Sequence, residues 1–89
     1  MYSMGTYFLE IISDPIPGDG WTAEARFSRQ ADYRKHADVP KVTYPTHIVQ
    51  PTKGAVERAA AEWAREFVLT STDVLESSLR LQEEMPREI

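Results

Sequence analysis

Eighty-nine residues, 42 % hydrophobic and 27 % charged, describe one small domain near the lower limit for a self-sufficient core. The absence of cysteine excludes disulfides, thiolate metal sites and cysteine nucleophiles, and it fits a cytoplasmic protein. The net charge of −4 is unevenly placed: residues 1–54 balance six acids with six bases, whereas residues 55–89 set eight acids against four bases, a poor arrangement for nonspecific binding to a polyanion.

Met1 to Thr6 has no basic residue and no sustained apolar run, so it is not read as a signal peptide. No stretch approaches the roughly twenty apolar residues of a membrane span. Tyr7 to Ile12 is β-branched and aromatic, short enough for a strand, and interrupted only by Glu10. The segment Asp14 to Gly20, with two prolines and two glycines, then ends that strand. Trp21 to Ser28 alternates cleanly, with Trp21, Ala23, Ala25 and Phe27 on one face and Thr22, Glu24, Arg26 and Ser28 on the other. The two segments predict a hairpin whose loop is longer than a tight two-residue turn.

Arg29 to Lys41 reads as a polar connection, with the composition for a short helical turn around Ala31 to His36. Val42 to Gln50 returns to strand character, and Pro45 inside it predicts an edge strand or a bulge. From Thr52, a candidate N-cap, to Leu69 the chain reads as one amphipathic helix. Val56, Ala59, Ala60, Trp63, Ala64, Phe67 and Val68 form its apolar stripe, and Glu57, Arg58, Glu62, Arg65 and Glu66 take the opposite side. Asp73 with Glu76 resembles an Asp-x-x-Glu helix start, and a second helix is expected over about 73 to 84. It carries two partial stripes, one through Leu75, Leu79 and Gln82 and one through Val74, Leu81 and Met85; beyond it, 86–89 is read as a frayed tail.

The expected fold is therefore α+β: a single domain over residues 1–85, with a three-stranded antiparallel sheet followed by a long amphipathic helix and a short C-terminal one (β-β-β-α-α). The Trp63/Phe67 stripe is expected to dock on Leu9, Ile11, Trp21 and Phe27. Glu10 and the Thr22/Glu24/Arg26 row are left to face water or a partner.

Chemistry-bearing motifs are sparse. His36 sits in a charged loop and His47 in the proline-containing strand, too far apart for a recognisable metal spacing. Glu62 and Glu66 share a helix face, an arrangement most simply read as solvated, and Asp14 and Asp19 flank a turn. There is no nucleophile elbow, phosphate loop or dinucleotide fingerprint. No catalytic residue, metal or cofactor is expected. The densest functional signal is basic: Arg26, Arg29, Arg34, Lys35 and Lys41 with Tyr33 and Tyr44, five bases against two acids between 26 and 41. Basic side chains interleaved with aromatics can meet single-stranded RNA through phosphate contacts and stacking; an ordinary polar loop is the simpler reading.

Gly20-Trp21-Thr22-Ala23-Glu24, followed by Thr52-Lys53-Gly54-Ala55 at the start of an alanine-rich helix, resembles the HicB-like antitoxin domain over about residues 5–69. The chain departs from that family in lacking its Pro-Gly-Cys-like segment before the third strand and any added DNA-binding module. The resemblance implies a small sheet-and-helix domain that binds a partner protein, and carries over no catalytic residue.

The leading expectation is a noncatalytic protein-interaction domain, binding itself or another protein through its third strand or exposed sheet face. The alternative is RNA or single-stranded nucleic-acid binding, with Arg26, Arg29, Tyr33, Arg34, Lys35 and Tyr44 as candidate contacts for nucleic acid or partner. The least favoured is an enzyme built on His47 or His36 with a glutamate. No membrane role is expected.

Overall fold

The computed structural model describes residues 1–35 and 38–84. Four antiparallel strands, β1 (Tyr2–Met4), β2 (Tyr7–Ile16), β3 (Gly20–Arg29) and β4 (Val42–Gln50), lie in the order β1-β2-β3-β4. Helices α1 (Lys53–Thr70) and α2 (Thr72–Glu84) follow, and a short 3-10 helix over Gln30–Arg34 links β3 to β4. The α+β order holds, but the sheet has four strands rather than the expected three. The extra strand exists because Gly5, at φ 59, and Thr6 make a two-residue turn that sets Met4 opposite Tyr7 and Tyr2 opposite Leu9. Met4 then packs on the core, and the Gln30 side-chain amide fastens the turn by donating to the carbonyls of Tyr7 (3.0 Å) and Gly5 (3.3 Å).

β2 runs four residues beyond the expected end, through Pro15. β1 reaches only to Leu9, so the outer edge of β2 is open past that point and tolerates a residue with no N–H to contribute. The hairpin loop shrinks to Pro17-Gly18-Asp19, closed by the Asp19 N–H donating to the Ile16 carbonyl at 2.9 Å. It is still longer than two residues.

β4 is both an edge strand and bulged. Three of its residues, Thr46 to Ile48, span the single residue Ala23 of β3. The Thr46 hydroxyl repairs the interrupted ladder by donating to the Ala23 carbonyl (2.7 Å) and accepting from the Ile48 N–H (3.3 Å). His47, at φ 59, forms the exposed tip of the bulge.

Thr52 caps α1, its hydroxyl accepting the Ala55 N–H at 3.1 Å. α1 lies against β2, β3 and β4. Its points of closest burial are Val56, Ala60 and Ala64, all with no exposed surface, which meet Ala23 and Ala25 of β3. Trp63 and Phe67 are half-buried beside this contact, stacked on each other at 5.1 Å, with Phe67 against Tyr44 (4.9 Å) and Phe27 (5.7 Å). Leu9 and Phe27 are fully buried and Ile11 and Trp21 pack at the margins, as the alternation requires. Leu75 and Leu79 of α2 complete the core; full burial of each such side chain contributes about 1.5–3 kcal/mol before entropy is subtracted.

α2 spans the expected residues to within one at its start, but the Asp-x-x-Glu pair does not cap it. It begins at Thr72, after Ser71, whose carbonyl accepts the Leu75 N–H at 3.1 Å, and Glu76 turns away to side chains outside the helix. The 86–89 tail falls outside the described residues.

Two glycines at the hairpin separate backbone conformation from close approach. Both have positive φ (Gly18 81, Gly20 95), but a Cβ on Gly18 meets open space, whereas one on Gly20 lies 2.4 Å from the Gln50 carbonyl oxygen. In chemical denaturation, Gly18→Ala is expected to lose only the conformational term, about 1 kcal/mol. Gly20→Ala is expected to lose about 2–4 kcal/mol, because the β4 to α1 junction must also shift. Equal losses at the two sites would contradict this packing.

Candidate functional site

The register places the six candidate contact residues in three different environments. Arg26 lies on the face of the sheet opposite the helices, in the row Glu10–Arg26–Thr43. Its guanidinium is 3.9 Å from the Glu10 carboxylate and donates to the Thr43 hydroxyl at 3.3 Å, and Lys41 reaches the same Glu10 at 3.3 Å. Tyr33 folds back over the end of this outer face, its ring edge-on to Phe8 at 5.2 Å and its hydroxyl 2.9 Å from that of Ser28. Arg34 and Lys35 are exposed beside it, with no ion pair to any described residue.

Tyr44 lies on the other side of the sheet, among Phe27, Phe67 and Trp63. Its hydroxyl is buried without a hydrogen-bond partner among the described residues, and its ring packs beneath α1 rather than beside Arg26. Arg29 also points to the helix side. It donates to both Glu76 oxygens (3.0 and 3.3 Å), to Asp32 (3.0 Å) and to Glu83. The six residues therefore do not form one surface. Tyr33, Arg34 and Lys35 remain together at one end of the outer face, with Arg26 nearby but engaged.

Arg29 gathers three carboxylates around one guanidinium. Its side chain is 19 % exposed, and burial alone would weaken its charged form, but hydrogen bonds to Glu83, Asp32 and Glu76 outweigh that and hold it more firmly protonated than usual. Three carboxylates around one guanidinium leave this cluster acidic overall. Tyr7, the neighbour of Arg29 across the β2–β3 pair, donates its hydroxyl to Glu76. The arrangement clamps α2 to β2, β3 and the 3-10 helix at once. It was not anticipated from sequence, although Glu76 and Glu83, two turns apart, do share a helix face.

No helix among the described residues covers the middle rows of the outer sheet face. Glu24 stands there between Ile12 of β2 and Pro45 of β4, and Thr22 stands between Asp14 and Val49. Neither Glu24 nor Asp14 is ion-paired to a described residue, while both nearby cations are taken by Glu10. His47 is exposed at the bulge tip, Glu62 and Glu66 are exposed on α1, and His36 lies outside the described residues. Among the described residues no group of three or more histidines and carboxylates is placed to hold a metal ion, and no helix is long and apolar enough to cross a membrane.

Burial first, and then the hydrogen bond to Glu76 and its charge, push the Tyr7 hydroxyl up to about 12 from an ordinary 10.0. The neutral phenol is thus favoured by folding. Its contribution is fully present below pH 10.0 and is lost as pH rises to about 12. Urea titrations across that window should show falling stability in the natural chain and a flatter profile in Tyr7→Phe. At neutral pH, Tyr7→Phe should lose about 1–2 kcal/mol with the bond to a charged acceptor, whereas Tyr44→Phe, which removes an unpartnered hydroxyl, should be neutral or stabilising by up to about 1 kcal/mol. A reversed order of the two variants would contradict the assigned environments.

No family model, no curated protein and no solved structure matches this chain.

Proposed function

We propose that the chain is a small noncatalytic interaction domain that docks a protein partner on the uncovered face of its sheet. The observation that carries this reading is Glu24, without an ion pair to any described residue, held between Ile12 and Pro45 while the neighbouring Arg26 and Lys41 are engaged by Glu10. Apolar side chains around an unpaired carboxylate suit a polypeptide segment presenting a lysine or arginine flanked by apolar residues. The same charge repels a polyanion. Pro45 and the Thr46–Ile48 bulge blunt the edge of β4, which favours docking on the face over strand addition. The resemblance to the HicB-like antitoxin domain points the same way, toward partner binding without catalysis.

Nucleic-acid binding is the second reading, and Tyr33, Arg34 and Lys35 favour it, since all three are exposed and both cations are unpaired among the described residues. Two free cations can displace few counterions, so log affinity for a single strand should fall with log salt at a slope of about −1 to −2.

A photo-crosslinking amino acid placed in cells at Val49, exposed on the same face, with the same probe at the exposed Arg65 of α1 as the control, tests the main reading. It predicts a discrete protein adduct from position 49 that disappears when Glu24→Lys is added, and none from position 65. No adduct from position 49, adducts of equal yield at both positions, or RNA as the only species captured at position 49, would refute it.

A further inference from the structure

α2 has more apolar surface than the core uses. Leu75 and Leu79 are fully buried, yet Val74 and Leu81 are 53 % and 61 % exposed, two turns apart on another flank of the same helix. Between them lie the small residues Ser77 and Ser78. Ser77, Arg80, Leu81 and Glu84 line a shallow groove of about 290 Å³. Their spacing is i, i+3, i+4 and i+7, which is the four-residue hole that accepts a side chain from a facing helix.

We propose that this groove receives Val74 from a second copy of the chain, pairing two α2 helices antiparallel about a two-fold axis near Ser77 and Ser78. The sequence numbers fix the match. If Ser77 faces Ser78 of the second copy, Val74 faces Leu81, and the centre of the hole lies opposite Val74. A two-fold axis perpendicular to both helices brings like flanks together. The Val74/Leu81 flank then meets its own copy, and so does the flank carrying Asp73 and Arg80. Asp73 comes beside Arg80 of the second copy twice, once at each end. Neither residue is ion-paired to a described residue within its own chain, whereas Glu76 and Glu83, which would otherwise burden the helix with negative charge, are turned inward to Arg29. Shape is thus self-complementary, the two Asp73–Arg80 contacts offset the Glu84 carboxylate that also borders the groove, and the serines permit the short interaxial distance of about 8 Å. This inference does not depend on the sheet face binding a partner, since the two surfaces are separate.

The chain has no cysteine, so one introduced thiol reports the contact without interference. Under mild oxidation Ser77→Cys should form a disulfide-linked dimer in high yield, because the two Cα atoms would stand within the roughly 4.4–6.8 Å that a disulfide spans. Thr22→Cys, on the outer sheet face, should remain mostly reduced, and adding Leu81→Glu should abolish the Ser77→Cys dimer. Light scattering from roughly 10 μM to 1 mM, the range suited to so small an interface, should show mass rising toward the dimer. Arg80→Glu should weaken association at least tenfold, and Asp73→Arg combined with Arg80→Glu should restore it to within about threefold. Disulfide formation at Thr22→Cys but not at Ser77→Cys, a monomer across the whole range, or failure of the charge swap to restore association would each overturn the proposal. Only the first of these outcomes would leave the sheet face as a site of self-contact.

Discussion

The fold depends on a contact between small residues. Val56, Ala60 and Ala64 of α1 lie directly on Ala23 and Ala25 of β3, so helix and sheet approach closely at the centre of the molecule. Large side chains then fill the wedges on either side: Leu9, Phe27, Phe67 and Trp63 toward one end, Trp21, Ile11 and Ile48 toward the other. An interior of native density needs this alternation of small and large. It also decides which face of the sheet is covered, and so leaves Glu24 and its apolar neighbours on the open side.

Arg29 carries that arrangement outward to α2. One guanidinium satisfies carboxylates from two elements, the 3-10 helix and α2, while Tyr7 adds a bond from β2. A partly buried cluster of this kind contributes through mutual constraint more than through any one pair. By turning Glu76 and Glu83 inward, it also fixes the rotation of α2 about its axis. Which residues of that helix meet water follows from the burial of Leu75 and Leu79 together with this clamp, so the exposure of Val74 and Leu81 depends in part on a residue four elements away in the chain.

Periodicity made most of the architecture legible. The alternation from Trp21 to Phe27, the stripe from Val56 to Val68, the Thr52 cap and the proline-marked irregularity in β4 all act locally, through φ/ψ preference and side-chain direction. What escaped was non-local. β1 is three residues long and exists only because Gly5-Thr6 turns it back onto β2. Pro15 reads as a terminator from sequence because the open edge that tolerates it is a property of the sheet. The candidate contact residues lie near one another in sequence, and strand register separates them: Arg26 and Tyr44 fall on opposite faces, and Arg29 is claimed by acids 47 and 54 positions away. Sequence distance carries no information about such pairings, and burial of Tyr44 follows from its register with Ala25.

Native-state hydrogen exchange tests the central contact most directly. If α1 and β3 form one cooperative unit through their alanines, the amides of Ala23 to Phe27 and of Val56 to Ala64 should share the slowest exchange in the protein and open only with global unfolding. Exchange in α1 many-fold faster than in β3 under native conditions would mean that the helix leaves the sheet on its own, and would contradict the account.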